Sequence, residues 1–243
     1  MIRFILIILI VVLYLILGIP VLLVEWVIGK INPRAKDYSC LRMVQATFKL
    51  ILWVAGVDLT VIGEENVPKD QAVLYIANHR SYFDILLTYS RCPRLTGYVA
   101  KLEMMRYPLL RDWMKALYCL FLDRENVKEG LKTILKGIEY IKDGISICIF
   151  PEGTRNKGKE MMPFKEGSLK MAEKTGCLII PMAITNSAEI FENHMPKVKP
   201  AKVILEYGTP IDPKALSKEE RKFMGAYAQK KIQEMLDKNA ALL

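Results

Sequence analysis

The sequence predicts an α/β fold: a mainly parallel sheet flanked by helices, preceded by an N-terminal membrane-embedded helical hairpin. Three observations predict it. From residue 58 onward, short apolar runs alternate with helical patterns, as in parallel sheets built from strand–helix units. Those runs are continuous and β-rich rather than alternating, as strands buried on both faces require. Ahead of them, Phe4 to Val24 carries no charged residue. A length of 243 residues suits one α/β domain with an appendage. The expected division is residues 1–57 as membrane-anchoring helices and 58–243 as the α/β domain.

The first element is "FILIILIVVLYLILGIPVLLV" (4–24). As a helix it would be about 31 Å long at ~1.5 Å per residue, close to the hydrocarbon thickness of a bilayer. A cleaved signal peptide is a poor fit, because only Arg3 precedes the run and no A-x-A site follows it. Gly18-Ile19-Pro20 interrupts the helix, so a straight span and a bent insertion into one leaflet both remain open. Lys30, Arg34, Lys36 and Arg42 make the downstream flank the more cationic, which places the α/β domain on the cytoplasmic face. Residues 41–56 form a second apolar helix, which either returns to the membrane surface through Trp53 or joins the core.

Seven strands are expected next: 59–63, 72–77, 95–100, 119–123, 145–150, 177–184 and 202–208. A helix from Tyr82 to Ser90 follows the second, capped by Ser81 or Asn78. Val127 to Lys142 places Val127, Leu131, Ile134, Leu135, Ile138 and Ile141 on one stripe, and Gly144 stops it. A shorter helix spans 166–175 before Gly176. The last begins at Ser217, with Glu220 completing a capping box, and presents Met224, Tyr227, Ala228, Ile232 and Met235 on one face.

The net charge of +9 points to an anionic partner such as an acidic membrane or a phosphorylated substrate. No nucleic-acid reading module accompanies that charge. Five scattered cysteines with no CxxC pair read as free thiols of a reducing compartment. The two histidines lie far apart with no Cys/His cluster, so no metal site is expected, and no cofactor.

Three polar clusters each follow an apolar strand, where ligands bind in parallel α/β sheets. In "YIANHRSYFDIL" (75–86), His79 lies just before a helix and Asp84 on its first turn, so the carboxylate can reach back to the ring. Such a pair fixes the imidazole tautomer and can take a proton from an alcohol; a solvated histidine beside a helix cap is the alternative. In "IFPEGTRNKG" (149–158), Gly153 allows close backbone approach, while Thr154 and Arg155 are donors suited to phosphate; an ordinary turn before a basic loop of Arg155, Lys157 and Lys159 is the alternative. In "LFLDREN" (120–126), Arg124 offers a planar fork, or else pairs with Asp123 at the surface. Pro181 interrupts the strand 177–184 and marks an edge, a bulge or a special wall.

With these residues in order, the sequence resembles the 1-acyl-sn-glycerol-3-phosphate (lysophosphatidic acid) acyltransferases of the wider glycerolipid acyltransferase superfamily. NHxxxxD matches Asn78, His79 and Asp84; the second block matches Phe121, Leu122, Asp123 and Arg124; FPEGTR matches Phe150 to Arg155 in full; the fourth matches Ile179, Ile180 and Pro181. Lys101, with Glu103 and Pro108, and "FKEGS" (164–168) are lesser matches. Asn156 stands where many relatives carry serine.

The resemblance implies that His79 is the general base and Asp84 the carboxylate that orients it, acting on the sn-2 hydroxyl of lysophosphatidic acid. It further implies that Arg124, Glu152, Gly153, Thr154 and Arg155 hold the acceptor, with a glycerol hydroxyl or Arg155 as partner of Glu152. Lys101 is implied at the phosphate or the developing oxyanion, and Pro181 as a wall of the site; Asn78 belongs to the motif without an assigned role. The acyl donor would be an acyl-CoA or acyl carrier protein thioester, without a covalent acyl-enzyme, and product and acceptor would stay among membrane lipids. Glycerol 3-phosphate or another lysophospholipid as acceptor, or a non-catalytic lipid-phosphate-binding protein, are the rival readings.

Overall fold

A computed structural model describes residues 1–158 and 160–243 of the chain, so Lys159 of the basic loop lies outside the described residues. Two long helices come first, α1 (Ile2–Ile31) and α2 (Pro33–Ala55). The turn between them follows from Asn32-Pro33: the Asn32 side chain accepts from the Ala35 N–H at 3.1 Å, and proline occupies the first helical position, which needs no donor. The helix α1 runs on through Pro20 without a break in its assignment, for 30 residues rather than the shorter run expected. At the far end α2 stops at Gly56, which adopts a left-handed φ of 75° while the Arg3 guanidinium donates to the Ala55 carbonyl at 2.7 Å. A side chain at Gly56 would collide with that guanidinium.

All seven expected strands form: β1 (Val57–Ile62), β2 (Leu74–Ala77), β3 (Thr96–Lys101), β4 (Leu120–Leu122), β5 (Ser146–Ile149), β6 (Ile179–Thr185) and β7 (Ala201–Tyr207). They make one sheet in the order β1-β7-β6-β2-β5-β3-β4. From β6 across to β4 every pair is parallel, which aligns the carboxyl ends of these strands along one edge. Among the described residues the one antiparallel strand pair is β6–β7, and β1 then pairs parallel with β7. The β6–β7 connection holds only short 3₁₀ turns, and without a helical crossover consecutive neighbours run antiparallel.

Helices cover both faces of the sheet. On one side α1, α2, α3 (Phe83–Tyr89) and α4 (Pro108–Ala116) pack against Tyr75, Ala77, Cys148, Phe150, Ile180 and Met182. On the other, α5 (Val127–Lys142), α6 (Lys170–Thr175) and α8 (Met224–Ala240) cover Leu74, Ile76, Ile147, Ile149 and Ile179. Between β7 and α8, α7 (Lys218–Lys222) carries the expected capping box of Ser217 and Glu220, but the helix breaks at Phe223 before α8 begins. The apolar stripe of α5 is wider than the surface it meets: Ile141 is buried, whereas Val127, Leu131 and Leu135 are exposed.

The second apolar helix joins the core on one face and leaves its other face exposed. Leu41, Val44, Ile51 and Leu52 of α2 are buried in the shared core, whereas Trp53 and Leu50 face outward. Helix α1 divides likewise. Phe4, Val11, Tyr14, Leu15, Val21 and Leu22 pack on that core, while Ile5, Leu9, Val12, Ile16, Leu23, Trp26 and Val27 are exposed.

Candidate active site

Strand β2 delivers Asn78 and His79 to the carboxyl edge. Asn78 is buried and does not cap α3. Its amide donates to the Ile184 carbonyl at 2.9 Å and its oxygen accepts from the Ile184 N–H at 2.8 Å. The side chain thus replaces a backbone pair and continues the β2–β6 seam one step past the strand. Capping falls to Ser81, whose hydroxyl accepts from the Phe83 N–H at 3.0 Å.

Asp84 is fully buried in the first turn of α3, and its Oδ2 collects three donors. These are His79 Nδ1–H at 2.9 Å, the Arg80 N–H at 2.7 Å and the Ser81 N–H at 2.8 Å. A carboxylate acceptor keeps the proton on Nδ1, so Nε2 carries the free lone pair. The imidazole is also stacked on Phe150, with centroids 4.1 Å apart and planes 20° apart. Tautomer and ring plane are both fixed. Such a ring can accept a proton from a hydroxyl at Nε2 and share the resulting charge with a buried carboxylate.

Phe150 opens the turn after β5. Its carbonyl accepts from the Gly153 N–H at 3.0 Å, and Gly153 takes the left-handed φ of 78° that this turn demands. Glu152 departs from the expectation that it holds an acceptor. It is buried, and Oε1 accepts from the backbone N–H of His79 at 2.7 Å. Its Oε2 accepts from the Asn156 amide at 3.0 Å and the Met162 N–H at 2.9 Å. The Asn156 N–H closes the circuit on the His79 carbonyl at 2.7 Å. A buried carboxylate needs donors, and here they come from the two loops it joins rather than from Arg155. Asn156 serves this internal bracing.

Thr154 is exposed at the tip of the turn. Arg155 Nη1 donates to Glu192 Oε1 at 3.1 Å, and the guanidinium carbon lies 3.4 Å from the centroid of the Tyr82 ring. Lys101 ends β3 on the same edge, 3.3 Å from Glu103, and Arg124 follows β4. Glu103 serves both cations electrostatically, and its own backbone N–H and then Lys101 hold it below the usual carboxylate range. Lys101 and Arg124 sit two and three strands from β2, on the order of 10 and 14 Å at ~4.8 Å per strand. His79, Asp84, Gly153, Thr154 and Arg155 therefore share one end of the edge, with Lys101 and Arg124 further along it.

Pro181 also departs from expectation. It shares the strand face of Ile179 and Ala183, toward α8, and lies against Gly208. His79 follows the opposite face with Phe150, so Pro181 sits behind the sheet and walls nothing beside the imidazole. Cys148, on β5 near the site, is buried, and burial pushes its thiol well above its ordinary value, as it pushes Cys92 and Cys119 up to about 11. None of these sulfurs is poised as a thiolate nucleophile. The contacts of Tyr82, Asn156 and Glu192 escaped sequence reasoning, because they are fixed by folding and not by spacing.

This edge is where similarity to known proteins falls. The sequence model of the Acyltransferase family matches residues 58–185, which contain the His79–Asp84 pair, Lys101, Arg124 and Glu152 to Arg155 but not Glu192. The chain belongs to the acyltransferase family. It is 36% identical over 152 residues to the 1-acyl-sn-glycerol-3-phosphate acyltransferase of Borreliella burgdorferi, covering 61% of this chain and 60% of that protein. It is 30% identical over 184 residues to a probable enzyme of the same name from Mycoplasma pneumoniae, covering 71% and 68%. The match thus spans about three fifths of the first relative's length and about two thirds of the second's. The acyltransferase fold is that of the solved 1-acyl-sn-glycerophosphate acyltransferase PlsC of Thermotoga maritima, with a TM-score of 0.83 at 24% identity over 98% of this chain and 95% of that one.

Proposed function

We propose that the chain transfers an acyl group from a thioester to the sn-2 hydroxyl of 1-acyl-glycerol 3-phosphate, making phosphatidic acid. The observation that carries this reading is the uncommitted Nε2 of a fixed His79–Asp84 pair, on the same strand edge as Arg155, together with what the relatives are named to acylate. As the hydroxyl oxygen attacks the thioester carbonyl, Nε2 accepts its proton, and Asp84 stabilises the imidazolium. The tetrahedral intermediate then expels the thiolate of the donor, which takes the proton back from His79. Ester and free thiol are the products, and no residue is acylated. Thr154 and Arg155 face the phosphate of the acceptor. Lys101 and Arg124, further along the edge, are candidates for charges of the donor or acceptor that lie beyond that phosphate.

The hairpin gives the reaction its location. A helix that crossed a bilayer would meet lipid all round, whereas α1 packs one long side on α2 and the sheet and leaves the other apolar side uncovered. We infer that residues 1–57 lie along a membrane surface, on its cytoplasmic face, with residues 58–243 held above it. The test is to incubate the purified protein with lysophosphatidic acid and either acyl-CoA or acyl carrier protein thioester, following phosphatidic acid and free thiol. Stoichiometric appearance of both is expected with one donor at least; product with neither, or acylation of glycerol 3-phosphate instead, would overturn the reading. Arg155→Ala should raise the acceptor KM by about tenfold or more, the loss of one charge-assisted phosphate contact.

A further inference from the structure

Glu192 lies outside the matched segment, in a 3₁₀ turn (Glu192–His194) after β6. Its carboxylate reaches two elements of the site at once. Oε1 accepts from the Tyr82 N–H at 2.8 Å and from Arg155 Nη1 at 3.1 Å. The guanidinium carbon lies over the Tyr82 ring, 3.4 Å from its centroid, although the ring is otherwise exposed. Arg155 is therefore gripped from the side by an anion and from below by an aromatic face. The ring contact and the hydrogen bond together restrain the guanidinium while engaging only one of its nitrogens, Nη1.

The two partners of Arg155 are not independent of the dyad. Tyr82 stands in the loop that runs from His79 to Asp84, and the Asp84 carboxylate fixes that loop through the Arg80 and Ser81 N–H groups. By holding Tyr82 and Arg155 with one oxygen atom, Glu192 ties the cation to the base. An acceptor whose reactive hydroxyl and anionic group belong to one small molecule needs those two protein groups at a set separation. An unrestrained arginine side chain would have to give up rotamer freedom each time it bound.

We propose that Glu192 is a positioning residue for the anionic end of the acceptor: it sets the guanidinium of Arg155 at a fixed distance from the His79–Asp84 pair, with Tyr82 as the platform. The inference rests on the acylation reading above. It also predicts a sign. A carboxylate beside an incoming phosphate is electrostatically unfavourable, so were Glu192 only a resting counter-ion that the phosphate must displace, removing it would tighten acceptor binding. As a positioning group, its removal weakens binding.

The experiment is a double-mutant cycle on the full chain, with lysophosphatidic acid as acceptor and whichever thioester supports the wild type. Glu192→Ala should raise the acceptor KM by about tenfold, with kcat and the donor KM within about threefold. In an Arg155→Ala background, Glu192→Ala should add nothing, because its effect runs through the arginine. Glu192→Gln, which keeps an oxygen for the Tyr82 N–H, should fall between wild type and Glu192→Ala. A fall in acceptor KM, or equal effects with and without Arg155, would overturn the proposal. A general loss of kcat with a lowered thermal midpoint would assign Glu192 to fold stability alone, and would overturn it too. Absence of acyl transfer in the wild type would instead remove the reading beneath it, so the two failures are distinguishable.

Discussion

The molecule contains two histidine–carboxylate pairs, each five residues apart in sequence, and they are not equivalent. His79 meets Asp84 through Nδ1 at 2.9 Å, and His194 meets Glu189 through Nε2 at 2.8 Å. Length of contact does not separate them. Asp84 has 0% side-chain exposure and Glu189 has 41%, so only the first carboxylate acts in a medium of low polarizability. Asp84 is also fixed by two backbone donors, whereas the other hydrogen-bond partner of Glu189 is the side-chain amide of Asn193, in an exposed contact. Nitrogen identity completes the contrast. Binding through Nδ1 leaves the outer Nε2 open to a ligand, whereas tying down Nε2 leaves only the nitrogen beside the ring's own main chain. A base is made by surroundings that fix the ring and leave its tip free, not by spacing.

The largest expected effect breaks the two pairs apart directly. His79→Ala should lower kcat for acyl transfer by on the order of 10³ or more, as loss of a general base does. His194→Ala should leave kcat within about twofold, since an exposed pair of this kind contributes little. Initial rates of phosphatidic acid formation, with circular dichroism to verify folding, check both. Comparable losses in the two variants would show that the contrast drawn from burial is mistaken.

A smaller effect sharpens the role of the carboxylate. In Asp84→Asn the side-chain oxygen is still demanded by the Arg80 and Ser81 N–H groups, so it should stay where Oδ2 is now and continue to accept from Nδ1. The tautomer then survives and only the charge is lost. The expected fall in kcat is therefore on the order of 10², the low end for disabling acid–base chemistry, with little change in acceptor KM. Glu189→Gln should leave both constants unaltered. A loss in Asp84→Asn as large as in His79→Ala would mean that the amide turns and the wrong tautomer forms.

Much of this arrangement was legible before folding was considered, for a physical reason. The central strands β2, β5 and β6 are buried on both faces and almost wholly apolar, the other strands still showed as short β-rich runs, and His79, Gly153 and Arg155 stood out by following two of the central ones. The antiparallel β6–β7 pair was not legible, because strand direction leaves no mark on composition. Helix α4 was missed as well, since Pro108 to Ala116 is too short to declare a period. At the site, His79 and Asp84 are neighbours along the chain, and their contact could be read from spacing. Glu152 with the His79 backbone and Arg155 with Glu192 join loops after different strands, and only the sheet order brings them together. The internal role of Glu152 was hidden for that reason: a carboxylate in a ligand-facing motif looks like a ligand contact until its buried donors are known. The uncovered stripe of α5 teaches the converse, because periodicity reports an apolar face but not how much of it the sheet can cover.

The smallest effect tests the second pair by itself. The Asn193 amide first, and then His194, hold Glu189 below the usual carboxylate range. A carboxyl lowered in the folded state stabilises the fold above its unfolded value, and that contribution disappears as pH falls through the folded one. Wild type should therefore exceed Glu189→Gln in thermal midpoint at pH 7, and the difference should vanish on acidification through the carboxylate range, near pH 4 and below. With Glu189 this exposed, solvent screening keeps the difference at the level of ~1 kcal/mol or less. Added salt at pH 7 should shrink it further, because exposed charges are screened. A gap that persists at low pH, or one that resists salt, would mean that Glu189 is shielded as Asp84 is, and the distinction between the two pairs would then rest on nitrogen identity alone.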